Sequence, residues 1–109
     1  MGDDALGYVW HETEVDGWQG VWTRNGDTNE FRAQFKHPSG QEIGGQLRME
    51  RNGHNLRISR WNPGAGGTCD YVGTVSGDFK TAAGSYYCID QNGRRVPPSG
   101  TYGWSATIS

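Results

Sequence analysis

The chain has 109 residues, enough for one domain of ordinary size and too few for a second. Its 18 glycines, 4 prolines and 5 tryptophans, with only 33% hydrophobic residues, describe a turn-rich fold around a thin aromatic core and exclude large enzyme scaffolds. Ten Lys and Arg against twelve Asp and Glu give a formal charge of -2, without the basic excess that binding to nucleic acid requires, and no stretch approaches the roughly 20 apolar residues of a membrane span. Neither nucleic acid nor a membrane is expected as a partner.

In chain order, Tyr8 to Val15 is a candidate strand: Tyr8-Val9-Trp10 has strand propensity and sets Trp10 at the strand entrance, but the acidic Glu12, Glu14 and Asp16 weaken the pattern. Trp18, Gly20 and Trp22 share one face of the first clear strand, which Asn25-Gly26-Asp27 ends. Phe31, Ala33 and Phe35 alternate with Arg32, Gln34 and Lys36, a half-buried strand broken by His37-Pro38-Ser39-Gly40. Ile43, Gly45, Leu47 and Met49 alternate with Glu42, Gln46, Arg48 and Glu50 in the next. Asn52-Gly53 at the centre of a type I′ turn predicts a hairpin with Leu47 facing Ile58, Met49 facing Leu56 and Arg48 facing Arg57. Asn62-Pro63-Gly64-Ala65-Gly66-Gly67 is a loop, since proline lacks a ladder donor and repeated glycine carries too large an entropy loss.

A hairpin turning at Gly77-Asp78-Phe79-Lys80 pairs Val75 with Ala82, Gly73 with Gly84, Tyr71 with Tyr86 and Cys69 with Cys88, all on one face. The two cysteines are then directly opposed, within reach of a disulfide, and no CxxC or Cys/His spacing competes for them. A disulfide implies an oxidising compartment, hence a secreted or periplasmic protein. Gln91 to Gly100 follows, with turn signals at Asn92-Gly93 and Pro97-Pro98, and Trp104, Ala106 and Ile108 alternate with Ser105 and Thr107 in the last strand. No segment has helical spacing. The expectation is an all-β single domain: a small antiparallel up-and-down barrel, or a sandwich, of seven to eight strands with one disulfide.

Gly20-Val21-Trp22-Thr23-Arg24-Asn25-Gly26-Asp27-Thr28, followed by Phe31, resembles the first strand and turn of avidin-type barrels, and Trp104-Ser105-Ala106-Thr107 is similar to their closing strand. Glycine and tryptophan opening a first strand also resemble lipocalin-like barrels. The resemblance implies a small secreted barrel. Arg24 stands where avidins carry a biotin-contacting Asn, so the implication concerns architecture rather than biotin.

Glu12, Glu14, Glu42, Glu50, Asp70 and Asp78 are read as outward or turn positions, and His11, His37 and His54 are scattered, so no carboxylate pair, triad or metal motif emerges. No catalytic site, metal or cofactor is expected. Trp18, Trp22, Phe31, Phe35 and Trp104 fill the core, whereas Trp61, Tyr87, Tyr102 and Trp10 remain as exposed rings able to stack on sugars. Arg48 and Arg57, opposed in the predicted hairpin with Arg32 nearby, are a candidate site for an acidic sugar or other anion. The favoured function is a secreted non-catalytic domain binding carbohydrate. The alternatives are an avidin- or lipocalin-like binder of another small ligand, and an inhibitor barrel presenting Asn62 to Gly67 to a protein partner.

Overall fold

A computed structural model describes residues 6–62 and 67–109. The described residues form nine strands: β1 (Val9–Glu14), β2 (Gln19–Arg24), β3 (Glu30–Lys36), β4 (Glu42–Asn52), β5 (Asn55–Trp61), β6 (Thr68–Val75), β7 (Thr81–Ile89), β8 (Arg95–Val96) and β9 (Tyr102–Ile108). All pairings are antiparallel, each strand from β1 to β7 pairs with the next, and β9 joins β7 to β1. The ring therefore closes with eight strands, and the two-residue β8 adds to the edge of β7. Closure leaves no long edge strand to template aggregation. The expected up-and-down barrel is the observed one, and Tyr8 to Val15 supplies its eighth strand.

Alternation decides which residues enter. Trp22 and Phe35 are fully enclosed, Phe31 and Trp104 nearly so, and the aromatic rings form a continuous column in the interior. Trp10 stacks on Trp22 at 5.7 Å, Trp22 meets Tyr71 edge-on at 5.7 Å, Tyr71 stacks on Tyr86 at 4.8 Å, and Tyr86 packs on Tyr102 at 5.5 Å. Trp104 leans over Gly73, and its indole N–H donates to the Val72 carbonyl at 3.1 Å. A side chain on Gly84 would collide with the Val72 carbonyl, so this pair of strands is brought together by having none.

The β6–β7 register is the predicted one, with Cys69 opposite Cys88, and the disulfide joins them across a Cα separation of 3.9 Å. The chain-entropy model assigns a loop of about 20 residues on the order of 3 kcal/mol. Reduction is therefore expected to lower the thermal midpoint by more than 10 °C or so, checked by calorimetry with and without reductant; an unchanged midpoint would contradict it.

The β4–β5 register differs from expectation. Asn52 pairs with Asn55, so Gly53 and His54 are the turn residues, and only Gly53 takes a positive φ, 65°, the pattern of a type II′ rather than a type I′ turn. Partners consequently shift: Arg57 faces Glu50, Arg48 faces Ser59, and on its other side Arg48 faces Glu30. Arg48 and Arg57 are not opposed. Each instead lies across from an acid, Arg48 from Glu30 and Arg57 from Glu50, an arrangement more favourable than like charges directly opposed. The new register places Arg60 opposite Leu47, on the inward face.

One end of the barrel is shut. Leu6 is buried there, the Trp10 indole N–H donates to the Gly7 carbonyl at 3.2 Å, and the His54 ring stacks on Phe79 at 4.8 Å with Arg51 also over Phe79. Trp10 is thus a core residue, a correction to its reading as an exposed ring. Its strand begins beneath the covering Leu6-Gly7 segment, and its even parity turns it inward.

Candidate functional site

Among the described residues the other end is open. Strand ends and turns on that side surround a cavity of about 460 Å³, whose lining includes Glu14, Asp16, Trp18, Arg60, Tyr86 and Tyr102. The parity that turns Trp10 inward turns Glu12 and Glu14 inward too, and both are almost fully buried, against the expectation that they are surface acids. Arg60, on the parity of Leu56 and Ile58, enters from β5. The sequence signal was available in this alternation, but three charges on an inward face contradict the usual content of a core.

Two of the three, Glu14 and Arg60, satisfy each other. The Arg60 guanidinium lies over the Phe35 ring at 3.6 Å, donates from Nε to Asn62 Oδ1 at 3.1 Å and from Nη1 to the Tyr71 hydroxyl at 2.8 Å, and pairs with Glu14 at 3.7 Å. The Tyr71 hydroxyl in turn donates a hydrogen bond to Glu14 Oε2 at 2.7 Å. Burial, followed by the Glu14 charge, holds the Tyr71 and Tyr86 phenols far above the ordinary range, so both are permanent hydrogen-bond donors. The Tyr86 hydroxyl donates to Asp16 Oδ1 at 3.1 Å.

Glu12 lies one step deeper. A Cβ on Gly20 would come within 2.8 Å of both Glu12 Oε1 and the Phe35 ring, so Gly20 makes the room this carboxyl occupies. Neither carboxyl oxygen has a hydrogen-bond partner among the described residues. Burial, with the neighbouring Glu14 carboxyl adding to it and Arg60 opposing, pushes its pKa up to about 11, so Glu12 is a neutral acid at physiological pH.

The aromatic residues expected to bind a ligand do not share one groove. Trp61 stands on the outer wall at 37% exposure, as its parity predicts. Tyr87 also faces outward, two strands away across β6, and lies under the Arg95 guanidinium at 4.4 Å. Tyr102 faces inward with Tyr86 and lines the mouth. Trp18, expected in the core, is half-buried at the same rim against His37, with ring centroids 5.0 Å apart. The loop offered to a protein partner runs from Asn62 to Gly67, and its central residues 63–66 lie outside the described ones.

The resemblance to avidin- and lipocalin-like small barrels holds as architecture: a closed antiparallel ring with an aromatic interior and one open mouth. No family model matches the chain, and no curated protein matches it. Among solved structures it is similar to a Burkholderia vietnamiensis protein described as a "putative beta-lactamase", with a TM-score of 0.66 and 10% identity over 97% of this chain and 96% of that one. At that identity the likeness shows the fold.

Proposed function

We propose that the protein is a secreted or periplasmic, non-catalytic binding domain whose ligand is a carbohydrate seated in the barrel mouth. One observation carries the reading: the open end joins aromatic walls, Trp18, Tyr86 and Tyr102, to a preorganised polar floor of Glu14 and Arg60 with Asp16 and Asn62 at the rim. Rings offer flat faces to the apolar sides of sugars, and carboxylates, amides and guanidinium groups bond hydroxyls, the combination that small-ligand sites use. The disulfide supports an oxidising compartment.

Soluble oligosaccharides are expected to shift the tryptophan emission and to bind in the micromolar to millimolar range, about 4 to 8 kcal/mol, because the cavity is shallow and few side chains contribute. Tyr102→Ala is expected to weaken binding at least about tenfold with little loss of stability, while Trp61→Ala leaves it unchanged. Calorimetric titration of both variants checks this. Loss of binding in Trp61→Ala with Tyr102→Ala unaffected would move the site to the outer wall.

A further inference from the structure

The charges around the mouth are not balanced. Its described lining holds three acids, Glu14, Asp16 and Asp90, and among Lys and Arg only Arg60. The Arg60 charge is already committed to Glu14, and its guanidinium is fixed by Asn62, Tyr71 and Phe35. Asp90 is engaged by its own turn, where Oδ1 accepts the N–H groups of Asn92 and Arg94 at 2.9 Å each. Asp16 is different. Its Oδ1 takes one hydrogen bond, from Tyr86, and its other carboxylate oxygen takes none from the described residues.

Tyr86 ties this acid to the aromatic wall, because its hydroxyl reaches Asp16 while its ring packs on Tyr102 at 5.5 Å. On the far side of Asp16, its main-chain carbonyl meets His37 Nε2 at 3.2 Å, and the His37 ring lies against Trp18. A carboxylate with a free oxygen, set between electron-rich rings at the edge of a cavity, is complementary to an ammonium group rather than to an anion or a neutral hydroxyl.

Building on the mouth as the sugar site, we propose that it selects saccharides bearing a free, protonated amine, with the ammonium group held by Asp16 and the ring faces by Trp18 and Tyr102. The selectivity resides in one exposed acid, so it is modest and sensitive to salt.

The test compares glucosamine oligomers with their N-acetylated counterparts of equal length, at low salt and slightly acidic pH, following the five tryptophan indole N–H signals by NMR. The free-amine oligomer is expected to bind about threefold to fivefold more tightly and to move the Trp18 signal. Its advantage disappears in about 0.5 M NaCl. Asp16→Asn keeps an acceptor for Tyr86 and removes the charge, and it is expected to bind both oligomers equally, at the affinity of the N-acetylated one. Equal affinity of wild-type protein for the two oligomers, with Trp18 moving in both, would overturn the selection for amines and leave the mouth as the sugar site. Failure of both oligomers to move Trp18 would overturn the mouth reading itself.

Discussion

Trp22→Ala is expected to cost about 3 to 5 kcal/mol and to leave much of the chain unfolded at room temperature. Trp22 has no exposed surface and contacts Trp10, Phe31, Tyr71 and Trp104, so its loss opens a void at the centre of the aromatic column. A void there cannot be filled by collapse, because the surrounding rings are held by a closed ladder of strands. A domain of this size has on the order of 5 to 15 kcal/mol of stability, and the cost takes a large part of it. Trp61→Ala, on the outer wall, is expected to change stability by less than about 1 kcal/mol. Urea unfolding of the two variants side by side checks the contrast. Equal destabilisation would mean that the inward and outward faces are assigned wrongly.

Glu12→Gln is expected to remove a pH dependence. The folded state holds the Glu12 proton up to a pH of about 11, whereas the unfolded chain releases it near the ordinary 4.5. Between those limits the native state binds more protons than the unfolded state, so stability falls as pH rises, by up to about 1.4 kcal/mol per pH unit. Below the lower limit both states are protonated and the effect vanishes. The glutamine keeps the shape and cannot ionise. Wild type and variant should therefore be nearly equal around pH 4, with the variant increasingly the more stable at neutral pH and above. Urea midpoints at three pH values measure the two slopes, and identical slopes would contradict a buried, protonated Glu12.

The closed barrel and the disulfide were legible because the β6–β7 partners follow from one turn position, and alternation then fixes the face. The Asn52-Gly53 hairpin shows the limit of the same reasoning. Moving the turn centre by one residue shifts every partner by two positions in sum, which leaves Leu47, Met49, Leu56 and Ile58 inward but replaces an Arg–Arg pair with Glu50–Arg57. Faces survive such an error and partners do not. The mouth was hidden for a different reason. Glu12, Glu14 and Arg60 sit at inward positions, but a charge at such a position is stable only when a partner from a distant strand meets it, and Glu14 meets Tyr71 across 57 residues of sequence. That partnership is a product of closure. No local pattern encodes it.

A ligand seated in the mouth and one spread over the outer wall are separated directly by the indole signals of Trp18 and Trp61. In a titration with a panel of soluble oligosaccharides, Trp18 is expected to shift in a saturable manner while Trp61 stays fixed. A saturable shift of Trp61 with Trp18 unmoved would contradict the account.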